Sequence, residues 1–202
     1  KGWNQKRKIY TLNPNGVSGV AVNMRRAPLN DVRVRKALAH LYNRELFMEK
    51  LFFNEYEYID SYYPGSIYAN PQNEHVEYSP EKAAQLLAEA GWVERDKQGL
   101  LVKDGKSFSL TILYAQKTLE RHLTIFQEDL KRAGIELNLK QLDWTAMFQL
   151  VDERNFDVVS VAWTGLLFPN PESAYHSSLA DQENTNNIIG IKNARIDEIL
   201  DE

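Results

Sequence analysis

Apolar residues recur with two different periods along the second half of the chain. The segments 108–114, 135–142 and 156–163 alternate or run almost continuously apolar, which is typical of strands. Between them, "LERHLTIFQEDLKRAG" and "DWTAMFQLVDERN" have helical spacing, a glycine terminator at Gly134 and a capping Asp143. This β-α-β-α-β order predicts an α/β fold in which helices flank a parallel or mixed sheet.

The first half of the chain predicts one strand and three helices. The strand is "GVSGVAVNMRR", and the helices begin after the capping residues Asp31, Asn43 and Ser79, with Gly91 ending the third. The segment "VERDKQGLLVKDGK" predicts a small hairpin, because its glycines stand in turn contexts around "LLV".

Residues 52–78 fit neither period. Eight of them are Tyr or Phe, mixed with Pro, Gly and Asn. A long irregular stretch of this kind is either functional or held in place by its aromatic side chains.

Composition narrows the classes of function. The chain has 202 residues, 43% of them hydrophobic, no cysteine and a net charge of −4. It is therefore long enough for a globular core, and it has no general electrostatic affinity for nucleic acid. The basic helix in residues 27–47 is predicted to be structural, with its charges in solvent or paired with nearby carboxylates.

The sequence contains no recognisable catalytic or metal motif. Glycine-rich phosphate loops, HExxH and G-x-S-x-G are missing from it, so we predict no catalytic residue, no metal ligand and no cofactor. The four histidines lack ligand spacing and are predicted to be surface or capping residues: His40, His75, His122 and His176.

Trp163 is the strongest candidate for ligand contact. It is the last residue of the apolar strand 156–163, so it lies at the carboxyl edge of the predicted sheet, where ligands of α/β sheets bind. It could line a ligand cleft, with Thr164 and backbone amides as polar partners, or it could simply plug the end of the sheet.

Five segments follow one another in unbroken order along the chain: "VNMRRAPLNDVRVRKALAHLYNRE", "YSPEKAAQLLAEAGW", "AGIELNLKQLDWTAMF", "FDVVSVAW" and "NNIIGIKNARIDEIL". This series resembles the oligopeptide, dipeptide and nickel class of ABC-transporter solute-binding proteins, bacterial extracellular solute-binding protein family 5. The resemblance covers essentially the whole chain and is greatest to the Yej-type microcin/peptide branch.

This resemblance implies a two-lobed clamshell of the type II periplasmic-binding-protein fold. Residues 1–202 would be a single lobe, most of the C-terminal one, with residues 1–26 near the inter-lobe hinge. The whole receptor is expected to be a monomeric binding protein, not an enzyme. It would lie in the periplasm or on the outer face of the cytoplasmic membrane and bind peptides or peptide-like compounds without a cofactor. It would pass them to ABC permease subunits. The chain starts without methionine and stops within an amphipathic pattern, so we expect the signal sequence and the other lobe to lie outside it.

The resemblance also implies which residues line the cleft. One group is the loop after Trp163, and the other lies in the strand segment "VAVNMRR". Peptide-binding relatives have an aspartate three residues after the tryptophan, which pairs with the peptide amine, whereas this chain has Leu166. We therefore expect either a modified or blocked peptide, or an amine held by the other lobe. The candidate site residues are Trp163, Thr164, Gly165, Leu166, Phe168, Asn23, Arg25 and Arg26.

Two other functions are compatible with the sequence. The lobe could be the ligand-sensing domain of a regulator or receptor without transport, or a fragment of an α/β enzyme whose catalytic residues lie elsewhere. A DNA-binding segment in place of a secretion signal would indicate the first, and turnover of a peptide would indicate the second.

Overall fold

The computed structural model describes residues 16–55, 58–164 and 170–202. Up to residue 163 its helices and strands follow the predicted order, and two further helices come after that point. Two single-turn 3-10 helices lie at Lys117–Leu119 and Ser177–Leu179. In chain order the strands and helices are β1 (Val17–Val22), α1 (Val32–His40), α2 (Arg44–Lys50), α3 (Pro80–Glu89), β2 (Glu94–Arg95), β3 (Leu101–Lys103), β4 (Lys106–Ser107), β5 (Ser109–Tyr114), α4 (Glu120–Ala133), β6 (Glu136–Gln141), α5 (Trp144–Asp152), β7 (Val158–Trp163), α6 (Glu172–Tyr175) and α7 (Ala194–Asp201).

The main sheet has four strands in the order β1-β7-β5-β6. Strand β5 is parallel to both β6 and β7, whereas β1 is antiparallel to β7. The predicted mixed sheet is therefore confirmed. The antiparallel register pairs Val17 with Trp163 at one end and Val22 with Val158 at the other.

Helices cover both faces of this sheet. Ile112 and Val158 lie in the larger core, together with residues of α1, α3 and α4. Their neighbours Leu113 and Val159 point to the opposite face and join a smaller core with α5. Because β5 and β7 are buried on both faces, their sequences are apolar almost throughout.

Side chains cap the predicted helix starts. The side chains of Asp31, Asn43, Ser79 and Asp143 each accept a hydrogen bond from a backbone N–H in the first turn of their helix. Gly134 ends α4 with φ of 90°, a left-handed conformation that favours glycine. The capping predictions are confirmed.

The predicted small hairpin is instead a three-stranded antiparallel sheet in the order β2-β3-β4. Its two turns contain Gly99 and Gly105, both with positive φ. Each turn therefore reverses the chain, and β3 pairs on both of its sides.

Two arginines of the basic helix α1 bind groups close to them in the sequence. Arg33 forms an ion pair of 2.6 Å with Asp31, and Arg35 donates to the carbonyl oxygens of Leu29 and Asn30. The structural interpretation of these arginines is confirmed. His40, however, is buried, with Nδ1 2.9 Å from the carbonyl oxygen of Glu77, so it is not a surface residue.

Candidate functional site

Trp163 lies where β7 extends past the rest of the parallel sheet. Leu113 is level with Val159, so β5 ends at the level of Ser160 while β7 continues for three more residues, about 10 Å. Over this extension the neighbouring strand is β1. Trp163 is partly buried and packs against the smaller core, so it stabilises the sheet end and retains an accessible part.

Gly16 makes the pairing at this edge sterically possible. A Cβ atom at position 16 would lie 2.0 Å from the carbonyl oxygen of Trp163, a distance that no side chain tolerates. Glycine therefore allows the chain entering β1 to pass directly beside the strand end.

Tyrosines from two other segments gather at Trp163. The ring of Tyr62 lies 6.0 Å from that of Trp163 with an interplanar angle of 62°, and 5.7 Å from that of Tyr175 with an angle of 77°. Tyr63 adds a further edge-to-face contact with Tyr62 at 5.1 Å. We call Tyr62, Tyr63, Trp163 and Tyr175 the aromatic cluster.

The aromatic cluster is uncharged at neutral pH. Burial raises the pKa of the Tyr175 hydroxyl well above its ordinary value, and the hydrogen bond with Tyr62 raises it further. Burial also raises the pKa of Tyr63. The cluster therefore offers ring faces, ring edges and neutral hydroxyls, which suit apolar, aromatic and hydrogen-bonding groups of a ligand.

The remaining predicted residues of this edge are only partly described. Thr164 is exposed directly after the strand. Gly165, Leu166 and Phe168 lie outside the described residues, so their predicted ligand contacts stay predictions.

Asn23 is fully buried at the other end of β1. Its Nδ2 donates to the carbonyl oxygens of Arg154 and Phe156, both at 3.0 Å. Its Oδ1 accepts from the backbone N–H and the Nη1 of Arg25. Asn23 thus joins β1 to the turn that leads into β7.

Arg25 holds the segment that follows α6. Its guanidinium donates to the carbonyl oxygens of Ala180, Asn187 and Ile188, with distances of 2.9 Å to Asn187 and 2.8 Å to Ile188. Burial lowers the pKa of Arg25, although the guanidinium remains charged at neutral pH. These bonds tie the segment to the end of β1.

Arg26 pairs with side chains next to β7. It forms an ion pair of 2.9 Å with Asp157 and donates to the side chain of Asn155. Asp157 also accepts from the backbone N–H of Thr111, so this pair links β5, β7 and the residues after β1.

The structure does not bring the two predicted groups of site residues together. Asn23, Arg25 and Arg26 follow Val22, which pairs with Val158, whereas Trp163 pairs with Val17. Five residue steps separate these ends of the ladder, about 17 Å. A ligand contact of the Asn23 group stays a prediction, separate from the site at Trp163.

Sequence reasoning missed Tyr62 and Tyr175 as partners of Trp163. The tyrosine-rich composition of residues 52–78 was a signal for the first, but the sequence alone does not show where an irregular segment packs. The sequence around Tyr175 is not rich in aromatic residues, so it gave no comparable signal.

The described residues offer neither a metal site nor a membrane-spanning helix. Within 16–55, 58–164 and 170–202, no group of three or more His, Asp or Glu side chains could hold a metal ion. No helix in the same ranges has the length and apolar character needed to cross a membrane.

An apolar cavity of about 360 Å³ lies away from Trp163, between α1, α4 and the opposite face of the sheet. Val20, Leu38, Tyr42 and Phe126 contribute to its walls. The aromatic cluster contributes none of its lining residues, so the cavity and the cluster are separate features.

A mixed α/β sheet with an aromatic site at its carboxyl edge is typical of ligand-binding lobes. Residues 3–186 match the family model for bacterial extracellular solute-binding proteins, family 5 middle. The chain therefore belongs to bacterial extracellular solute-binding protein family 5, which confirms the resemblance seen in the sequence.

Individual relatives agree with this assignment. The oligopeptide-binding protein AppA of Bacillus subtilis is 30% identical over 98% of this chain and 34% of its own length. The structure of AppA in complex with a nonapeptide has a TM-score of 0.83 at 29% identity, covering 94% of this chain and 38% of that one. The uncharacterized protein YejA of Escherichia coli is 23% identical over 91% of this chain and 36% of its own, so a Yej relative is among the matches.

A structure of NikA from Brucella suis in complex with Fe(III)-EDTA shows the same fold. Its TM-score is 0.79 at 22% identity, with coverage of 93% of this chain and 39% of that one. The chain thus spans about a third of the length of the relatives that it matches.

Proposed function

We propose that this chain is most of the C-terminal lobe of a solute-binding receptor for an ABC importer. The whole receptor would bind peptides or peptide-like compounds between two lobes and deliver them to a membrane permease. Family membership and the AppA relative support this proposal, as does coverage of only about a third of that relative's length. Residues 1–26 would lie near the inter-lobe hinge.

The position of Trp163 carries the proposal. It extends past the sheet on β7, remains partly accessible and is held by Tyr62. A rigid aromatic surface at the carboxyl edge of a sheet gives a ligand a large contact area at little cost in conformational entropy. An extended peptide lying across this edge would contact Trp163 and Thr164, and the predicted site residues Gly165, Leu166 and Phe168 would continue the wall.

The remaining parts of the proposal follow from the family. A receptor described as extracellular would act in the periplasm or on the outer face of the cytoplasmic membrane, with the permease as its protein partner. It would act as a monomer, because closure of two lobes on a ligand needs no second copy. Binding and release would require no catalytic residue and no cofactor.

Substitution of Trp163 in the full-length receptor tests the proposal. A panel of short synthetic peptides is titrated by calorimetry, and tryptophan fluorescence is followed. We expect peptide binding to change the fluorescence and Trp163→Ala to weaken binding by about 1–3 kcal/mol, because an aromatic anchor is lost.

Trp144→Ala is the matched control. Trp144 is 48% exposed on α5 and stacks on Phe148 instead of on the aromatic cluster, so binding should be unchanged. If Trp163→Ala abolishes folding, Trp163→Leu keeps an apolar side chain without an aromatic ring at this position. A leucine variant that folds and binds peptides like wild type, with no fluorescence change in wild type, would favour the plug interpretation.

A further inference from the structure

We infer that Tyr62 is a specificity-determining residue that, together with Trp163, selects ligands with an aromatic side chain. This inference rests on the proposed function, because it concerns the chemistry of the same binding edge. It adds a residue from the irregular segment 52–78, which sequence reasoning left unassigned.

Tyr62 and Trp163 form a corner of two aromatic rings. Their centroids are 6.0 Å apart and their planes meet at 62°. In such a corner a third ring can stack on one wall while it points an edge at the other, and both arrangements are favourable for aromatic pairs.

The orientation of Tyr62 is fixed by its other contacts. Tyr63 and Tyr175 approach its ring at 5.1 and 5.7 Å, with interplanar angles of 87° and 77°. Tyr62 nevertheless remains 39% exposed, so part of it is open to a ligand. A ring that is held in place but still accessible loses little entropy when a ligand binds.

The charge of the corner favours a neutral ring as its ligand. Tyr175, which supports Tyr62, is a neutral phenol at neutral pH, and burial and the hydrogen bond with Tyr62 raise its pKa further above the ordinary value of 10.0. The aromatic cluster contains no carboxylate and no basic side chain, so a charged group placed here would lose hydration without gaining an opposite charge, and a cation would be compensated by ring contacts alone. An aromatic side chain loses little hydration and gains ring contacts.

Tyr68 provides a matched control on the same segment. It is 46% exposed, similar to Tyr62. Its described ring contact is with Tyr63 at 6.2 Å, and it contacts neither Trp163 nor Tyr175 in the described residues. Replacing Tyr68 removes a comparable exposed ring and leaves the corner intact.

The experiment uses the full-length receptor and a scanned series of acetylated alanine-based pentapeptides. One position at a time carries Phe, cyclohexylalanine, Lys or Ala, and affinities are measured by calorimetry for wild type, Tyr62→Leu, Tyr62→Phe and Tyr68→Leu. Cyclohexylalanine has the size of Phe without its π-system, so the comparison separates ring contacts from simple apolar burial. Thermal unfolding confirms that each variant is folded.

We expect one position at which wild type binds the Phe peptide roughly 3- to 10-fold more tightly than the cyclohexylalanine peptide. Tyr62→Leu should remove this preference, so that the Phe and cyclohexylalanine peptides bind within about 2-fold of each other. Tyr62→Phe and Tyr68→Leu should retain the preference, because both keep the ring corner.

Three results would overturn the inference. In the first, wild type shows no preference for Phe over cyclohexylalanine at any position. In the second, a Lys peptide binds most tightly. In the third, Tyr62→Leu and Tyr68→Leu lose the preference for Phe equally. In these cases peptides still bind, so the proposed function stands. A folded wild-type receptor that binds none of the peptides, in either their acetylated or their free-amine form, contradicts the proposed function and the inference together.

Discussion

Trp163 is part of the core and of the candidate site at the same time. It packs on the smaller core and also contacts Tyr62, 101 positions away in the sequence. The position of Trp163 at a strand end could be predicted, because the apolar run of β7 ends at this residue in the sequence. Its aromatic partners could not, because an irregular segment has no periodic pattern that shows where it packs.

Arg25 illustrates a residue whose charge suggested a ligand although its hydrogen bonds are internal. Sequence reasoning detects an arginine after a strand, but the carbonyl groups it meets are 155 to 163 positions away. The residues around Arg25 in the sequence do not indicate these partners.

We predict that Arg25→Lys destabilises the folded protein by roughly 2–4 kcal/mol, because a lysine cannot reach the three carbonyl groups together and leaves some unpaired. Arg26→Lys, which affects a more exposed pair with Asp157, should cost less than about 1 kcal/mol. Urea unfolding of both variants measures the difference. Equal stabilities of Arg25→Lys and wild type, with weakened peptide binding, would instead indicate a ligand role for Arg25.

Leu166 leads to a prediction about the ligand terminus. In a receptor with an aspartate at this position, acetylating the peptide amine would weaken peptide binding by roughly 2–5 kcal/mol, because the carboxylate would be left unpaired. This chain has no carboxylate there. We therefore expect the full-length receptor to bind matched free and acetylated peptides with less than about a tenfold difference.

Leu166→Asp is the complementary change and should shift preference toward the free amine. Calorimetric titration of both peptides against both proteins gives the comparison. A strong preference of wild type for the free amine would show that another acid, such as one in the other lobe, anchors it.

At the scale of elements, most of the fold could be predicted from local signals. Capping residues act within one turn of their helix, and two-residue periodicity acts along a single strand, so both are visible in sequence. The small sheet was predicted less well, because β2 and β4 have two residues each and carry no periodic pattern. The burial of His40 depends on contact with the segment before α3, which is equally invisible locally.

The cap of α1 gives a pH-dependent prediction. Hydrogen bonds from the Arg33 side chain, and then from its backbone N–H, lower the pKa of Asp31 to about 2 from an ordinary value of 3.8. Because the folded-state pKa is the lower one, the ionised carboxylate stabilises the fold above about 3.8, and this contribution is lost as the pH falls toward 2.

Urea unfolding of wild type and Asp31→Asn across this range measures the contribution. The stability advantage of wild type should shrink as the pH falls from 4 to 2. Ser79→Ala removes a cap without an ionisable group, so its cost of about 1 kcal/mol should vary little with pH. A constant difference between Asp31→Asn and wild type would contradict the assignment.

At the scale of the whole molecule, the chain supplies one side of the proposed binding site. The aromatic cluster is partly exposed, and two thirds of the length of the AppA relative has no counterpart in this chain. Family, fold and the position of Trp163 could be recognised from sequence. The separation of the two predicted residue groups could not, because it depends on the antiparallel pairing of β1 with β7.

Paired calorimetric titrations of the full-length receptor and of residues 1–202 with one peptide test the central claim most directly. Circular dichroism first establishes that the shorter chain is folded. One lobe provides only part of the contact area and leaves the ligand open to water on its other side, so its affinity should be at least about 100-fold lower. We expect micromolar or tighter binding by the full-length receptor and a marked loss in the single lobe. Nanomolar binding by residues 1–202 alone, or no peptide binding by the folded full-length receptor, would contradict the account.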